Sequence, residues 1–523
     1  MRTALGLVLA AATAGALAVP GAAAPPNRPH PEAGLERPVD VELNEIGRYT
    51  AADAEFDEGG AEIVAYDAST QRLFVANGSE ITVDVIDVSD PSDPQLVDQV
   101  DVAAFGAGVN GVGAAKGLVG VAISPENAQE ERGSAVFLDA ATLEVVKEVE
   151  VGFLPDALLF APDGATAVVA NEGEPSDDYQ TDPPGTISVI DLDTFEVAEV
   201  GFAELGVDDV VNSESFRSFG PNAGDLAVDI EPENIAFDAD STTAWVTLQE
   251  NNAIAEVDLV EGELVEVFAL GFKDWTTAGN GFDASNADGE IRIRDWPVLG
   301  IPQPDAVAAY EVRGRTLLVT ANEGDARDYE GYSEEVRLGD VGLCEGFTYD
   351  GMGAAELELD ENLGRLKITT ANGFNEDLGC VHQPYAYGAR SFSIYTPEGD
   401  LIYDSGSDFE EITAEILGRN GFNANNDETG EDAFDSRSDD KGPEPEGVAV
   451  GQAYGSTYAF IGLERVGGVM TYKVSNPRRP ESSPTTPVVT STRQPPRKRS
   501  TWAPKVCCSC PPRRARPVAP WWC

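Results

Sequence analysis

Between about residue 60 and residue 475 apolar and polar residues alternate in short runs separated by turn residues. That period of two predicts half-buried β-strands throughout. The runs also repeat. A phrase of proline, an acid, a small residue and an apolar stretch recurs as PDALLF (155–160), PENIAF (232–237), PDAVAAY (304–310) and PEGVAV (445–450), with AEIVAY (61–66) as a weaker copy. Each is followed by a second strand: RLFVANG (72–78), TAVVANEG (166–173), TAWVTLQEN (243–251), TLLVTANEG (316–324) and TYAFIGLER (457–465). A third strand then ends near an aspartate in most copies, as in TISVIDL and AIAEVDL. Segments 134–151 and 390–406 read as two further sheets without the opening phrase.

A lone sheet of three or four strands cannot bury both of its faces, so repeated sheets must stack on one another. The pattern predicts an all-β protein, a β-propeller of about seven blades spanning residues 45–477. Long acidic insertions at 203–228, 271–300, 325–389 and 408–443 interrupt the period, and as elaborated loops they are expected to gather on one face.

Residues 1–24, MRTALGLVLAAATAGALAVPGAAA, carry an arginine, a short apolar core and small residues, the pattern of a signal peptide. A proline-rich linker follows at 25–44. The body has no apolar run long enough for a transmembrane helix. These features predict an exported protein, secreted or held at the cell surface, with an extracellular ligand or surface partner. In that compartment Cys344 and Cys380 can pair. The formal net charge of −58 argues against nucleic acid as a partner, because phosphate repels it, and favours cations.

The last 46 residues differ from everything before them. Residues 478–523 hold ten of the 34 lysines and arginines, one of the 92 acids and four of the six cysteines. Read from the third base of the Thr501 codon, the codons for TWAPKVCCSCPP permit Leu-Gly-Pro-Glu-Gly-Leu-Leu-Phe-Val-Pro-Ala, which is the repeat phrase again. Segment 478–523 is therefore read as out of frame and disordered, which leaves the last blade incomplete and removes any C-terminal anchor.

ANEGEPSDDYQTDPPGTISVID (170–191), ANEGDARDYEGYSEEVR (321–337), YAYGARSFSIY (385–395) and RSDDKGPEPEGVAVG (437–451) resemble the choice-of-anchor I family over about residues 45–477. This resemblance implies an exported bacterial propeller of the YVTN or quinoprotein-like kind, similar to mesenchyme-specific cell-surface glycoproteins. Some members carry the label alkaline phosphatase.

The candidate chemistry lies in acids at equivalent positions of the repeat. Asp156, Glu233, Asp305 and Glu446 occupy the opening phrase, and Glu172, Glu250, Glu323 and Glu464 end the second strand. Rotation about a propeller axis places each set in a partial ring, where like charges repel and a divalent cation relieves them; oxygen-only ligands suit Ca²⁺. The alternative is that these acids cap turns. Loop acids Asp177, Asp178, Asp325 and Asp328 add to the cation case. Arg327 and Arg390 could contact phosphate or neutralise neighbouring acids. The only histidines are His30 and His382, which excludes His-rich zinc sites and gives a Ser/His/Asp triad little to draw on.

Two functions follow as expectations. One is a non-catalytic, cation-binding ligand or adhesion module. The other is a calcium-dependent phosphoesterase, of alkaline phosphatase or phytase type, acting from an acidic channel mouth. Resequencing the coding region around Pro477 is expected to reveal a frame change. An unchanged frame, with a secreted mass that includes 478–523 as written, would overturn that reading.

Overall fold

The structure is a computed structural model that describes residue 41 and residues 43–50, 63–425 and 433–483. The expected signal peptide, nearly all of the expected linker and residues 484–523 lie outside the described residues.

Six four-stranded sheets make up the body among the described residues. Sheet 1 comprises Val64–Asp67, Arg72–Asn77, Thr82–Asp87 and Gln95–Asp101. Sheet 2 comprises Gly108–Ala115, Leu118–Ser124, Ser134–Asp139 and Val145–Glu150. Sheet 3 runs through Pro155–Phe160, Thr166–Asn171, Thr186–Asp191 and Val197–Gly201. Sheet 4 runs through Pro232–Phe237, Thr243–Leu248, Ala253–Asp258 and Glu263–Ala269. Sheet 5 is Ala306–Glu311, Thr316–Asn322, Ser391–Tyr395 and Leu401–Asp404. Sheet 6 is Pro445–Ala453, Ser456–Leu463, Val469–Lys473 and Glu481–Ser482.

Every one is an antiparallel meander, and the first strands of successive sheets abut from sheet 1 through sheet 6. This is the β-propeller that the repeats predict. Apolar residues of facing sheets fill the spaces between blades, as where Val168 and Ile187 of sheet 3 meet Ile235 and Val246 of sheet 4. Among the described residues, the first strands of sheets 6 and 1 make no comparable contact. Segment 41–50 spans that junction instead: Val41 packs on Tyr458 and Phe460 of sheet 6, and Tyr49 packs against the Leu73 and Val75 cluster of sheet 1.

Two departures from the sequence reading have physical causes. Segment 390–406 is not a separate blade: Ser391–Tyr395 pairs with Thr316–Asn322, Val319 opposite Ile394, so it supplies the third and fourth strands of sheet 5. The insertion 325–389 separates the halves of that sheet in sequence. Sheet 2 does have an opening strand, GVNGVGAA, but glycine replaces the usual phrase. A Cβ on Gly111 would lie 2.3 Å from Asp156 O, so only glycine lets sheet 3 come this close. Just past Pro477, Glu481–Ser482 pairs with Tyr472 and Lys473.

The insertions form a cap with a core of its own, in which Trp275, Phe282, Trp296, Leu338, Leu357 and Ile368 are buried together. Leu299–Ile301 of one insertion runs parallel to Tyr385–Tyr387 of another. Cys344 and Cys380 are joined as a disulfide, with Cα atoms 5.0 Å apart. Helix Asp408–Leu417 seats the cap on the blades by packing Phe409 against Phe392 and Tyr472.

Gly324 is where sheet 5 hands over to the cap: it has φ +87°, and a Cβ there would lie 1.9 Å from Gly388 N. Gly324→Ala is expected to cost roughly 3 kcal/mol, read as a lower denaturant midpoint, because both the backbone angle and the space are denied.

Candidate functional site

The tetrapeptide Ala-Asn-Glu-Gly closes the second strand of sheets 3 and 5, and each residue has its own task. Ala170 and Ala321 are buried between blades. Asn171 is fully buried; it donates to Thr186 O at 3.1 Å and Ser188 Oγ at 3.0 Å and accepts from Gly152 N at 3.0 Å. Asn322 likewise donates to Ser393 Oγ at 2.8 Å. The asparagine thus locks the strand end to the next strand, and the glycine turns the chain, with φ +71° at Gly173. Between them the glutamate, half-buried as Glu172 and Glu323, stands at the strand end, where the propeller expectation places the channel mouth. Asn77 plays a similar part in the NGS triplet: it is buried and accepts from Ser79 Oγ at 2.8 Å and Glu80 N at 3.2 Å.

The two sets of acids come together there. Glu172 interacts with Glu174, Asp156, Glu231 and Glu250, and Glu233 with Glu250, Glu172, Asp305 and Asp156. Burial first, and the neighbouring carboxylates second, push Glu172 and Glu233 well above the usual carboxylate range. Burial also raises Glu231 and Glu250, with Arg327 offsetting part of the effect. Across the mouth, Gln249 Nε2 donates to Glu323 Oε2 at 3.2 Å, and Lys441 Nζ lies 3.1 Å from Glu323 Oε1. Glu464 is pushed up to about 7 by burial and by Glu323 and Glu444, against Arg465 and Lys441. Glu446 is buried at the matching position of sheet 6.

The loop acids divide. Asp178 caps its own loop, accepting from Ser176 Oγ at 3.0 Å and Gln180 N at 3.1 Å. Asp325 is exposed, 3.7 Å from Lys441, and Asp177 and Asp328 are exposed as well. The two loops meet: Gly331 N donates to Asp177 O at 2.6 Å, Tyr329 Oη donates to Glu174 Oε1 at 2.9 Å, and the Tyr179 and Tyr329 rings are 5.4 Å apart.

Both candidate arginines are interior. Arg327 is 2.5 Å from Asp229 Oδ1 and 3.3 Å from Glu231 Oε2, and also donates to Asp229 O. Arg390 is 2.7 Å from Glu410 Oε1 and donates to the carbonyls of Asp283, Ser438 and Asp440. Their guanidinium groups neutralise acids and carbonyls of the protein rather than face the mouth, and Arg390 is not brought to the paired loops.

Sequence reasoning missed Asp229, Glu231, Lys441 and Arg217. Arg217 pairs with the buried Glu334 and donates to Glu250 O at 2.9 Å. One signal was available: Glu231 sits two residues before Glu233, a spacing that puts both on one side of an extended chain. Among the described residues no group of three or more His, Cys, Asp or Glu side chains is arranged to hold a metal ion. Nor is any helix among them long and apolar enough to cross a membrane.

The choice-of-anchor I domain matches residues 62–477, ending at the residue where the composition changes. A mesenchyme-specific cell surface glycoprotein of Strongylocentrotus purpuratus is 29% identical over 274 residues, covering 47% of this chain and 35% of that protein. Gigasin-3a of Magallana gigas is 36% identical over 123 residues, covering 23% of this chain and 43% of its own length. The chain therefore spans less than half the length of either curated relative. A solved structure of Kuenenia stuttgartiensis hydrazine synthase shares 13% identity at a TM-score of 0.39, covering 82% of this chain and 80% of that one. A likeness that distant carries no argument.

Carboxyls with raised folded-state pKa values stabilise the fold fully below their unfolded value of about 4.3, and that contribution is lost as pH rises through the folded value. Melting temperature is therefore expected to fall between pH 5 and pH 8. Glu172→Gln with Glu233→Gln is expected to flatten this dependence and to add on the order of 1 kcal/mol per site at pH 8. A wild-type melting temperature that rises over this range would contradict the reading.

Proposed function

The chain belongs to the choice-of-anchor I family, and from that premise we propose that it is a cell-surface, non-catalytic ligand-binding or adhesion module whose acidic mouth collects divalent cations, calcium foremost. The observation that carries this reading is the grouping of repeat-equivalent glutamates in which burial first, and mutual repulsion second, raise Glu172 and Glu233 well above their ordinary values. Cations or cationic groups of a ligand relieve that repulsion. Since no group of three or more His, Cys, Asp or Glu side chains among the described residues is arranged to hold a metal ion, a calcium ion at the mouth keeps much of its water and acts by charge. Such an ion can bridge the mouth to an anionic partner, which suits attachment between surfaces. The relative named as a surface glycoprotein is consistent with an extracellular setting, as are the exported-type sequence start and the disulfide.

The phosphoesterase alternative needs a cation beside the mouth to hold phosphate. Arg327 and Arg390 are committed to buried acids, and Lys441 is held among Glu323, Asp325 and Glu444. This distribution favours binding over catalysis.

The test is to strip the protein with chelator and then add calcium at constant ionic strength, following melting temperature and phosphate release from phosphomonoesters and phytate. A rise in melting temperature that largely disappears in Glu172→Gln with Glu233→Gln, without phosphate release, is the expected result. Calcium-dependent turnover would overturn the non-catalytic reading.

A further inference from the structure

Away from the mouth, under the helix Asp408–Leu417, the cap encloses a second set of acids: Asp283, Asp288, Glu410 and Asp435. Asp283, Glu410 and Asp435 are each 1% exposed. Two arginines answer two of the four. Arg390 pairs with Glu410 at 2.7 Å, and Arg292 Nε lies 3.1 Å from Asp288 Oδ2. Asp283 and Asp435 have no such cation, so this part of the interior carries two negative charges more than its arginines neutralise when all four acids are ionised. The sequence resembles a calcium loop at 283–295, but its first ligand position falls on Ala284. In the structure Asp283, one residue earlier, closes the loop instead, accepting from Ser285 N at 3.3 Å and Arg292 N at 2.5 Å.

The opposite wall is built from Asn423 and Asp435, which a chain of hydrogen bonds orients. Asn423 Nδ2 donates to Glu410 Oε1 at 3.1 Å and to Ser438 Oγ at 2.8 Å, and Ser438 Oγ in turn donates to Asp435 Oδ1. Turning the Asn423 amide over would set its oxygen against the Glu410 carboxylate, so its orientation is fixed. The chain leaves Asn423 Oδ1 and Asp435 Oδ2 buried without a hydrogen-bond donor, and Asn425 Oδ1 is in the same condition. Backbone bonds clamp the two segments together, Asp435 N to Phe422 O at 3.0 Å and Arg437 N to Asn423 O at 2.8 Å. Asn423 and Asp435 both hold left-handed backbone, with φ of +39° and +64°. A buried oxygen without a donor costs free energy unless something electropositive meets it.

We propose that Asp435, Asn423 and Asn425, with Asp283 beside them, form a separate site for one hard divalent cation such as calcium, lying between the helix Asp408–Leu417 and the 283–295 loop. Asp435 Oδ2 and the two amide oxygens are its ligands, Asp283 supplies the second negative charge, and water completes the shell. Two carboxylates with neutral amide oxygens are a donor set that suits calcium and does not suit zinc. The site goes beyond the mouth: it would tie two insertions of the cap, 271–300 and 408–443, to each other, whatever the mouth binds.

The experiment uses the full chain, stripped with chelator and titrated calorimetrically with calcium chloride at pH 7.5. Glu172→Gln with Glu233→Gln serves as the background, so that uptake at the mouth contributes little. One saturable equivalent is expected. Asp435→Asn keeps an acceptor for Ser438, and Asn423→Gly keeps the left-handed backbone; each is expected to weaken binding at least tenfold. The proposal is overturned if no saturable equivalent is taken up, or if both variants bind like their parent. Should neither variant fold, as judged by circular dichroism, the parent decides: one saturable equivalent supports the site, and none overturns it.

Discussion

Buried guanidinium groups hold this molecule together. Arg217 reaches Glu334 and Asn372, Arg327 reaches Asp229 and Glu231, and Arg390 reaches Glu410, each bringing together segments distant in sequence. Arg217 and Arg327 also flank the Phe219 ring, at 4.2 and 4.7 Å from its centroid. Removing water from a charge is expensive, and such pairs are tolerated because each guanidinium has several acceptors in place. The cost falls asymmetrically on change: a neutral residue in place of Arg327 would strand two acids in the interior, a far larger loss than the pair's own net contribution. The cap can therefore be elaborate and irregular while its position on the blades is fixed.

The blades were legible in the sequence because a half-buried strand imposes its period on composition, and a sheet repeated many times imposes it repeatedly. Where the period failed, it failed for local reasons. GVNGVGAA conceals a strand because Gly111 must make room for the backbone of sheet 3. The second half of sheet 5 was taken for a new blade because 325–389 stands between strands that pair directly. The cap core left little trace, since Trp275, Trp296 and Leu338 lie on short irregular segments with no period to read.

The candidate site was half legible. The repeat phrase and the Ala-Asn-Glu-Gly ending identified the glutamates, because equivalent positions on blades that radiate from one axis must meet. The partners of Arg327 and Arg390 were not legible. Asp229 lies 98 residues from Arg327, and nothing local to either residue encodes the pairing. Charge composition behaved similarly: the excess of acid is plain in the sequence, but its division between the acid cluster around Glu172 and Glu233 and the second cluster in the cap is not.

The junction between sheets 6 and 1 gives the propeller a mechanical character. Elsewhere neighbouring blades are sewn along their first strands, but here segment 41–50 serves as a clasp, with Val41 seated on one blade and Tyr49 on the other. A force drawing these two blades apart meets a few side chains in series rather than a whole interface. Among the described residues this junction is the thinnest link of the ring, and strain that the other blades spread along whole strands would fall there on the side chains of Val41 and Tyr49.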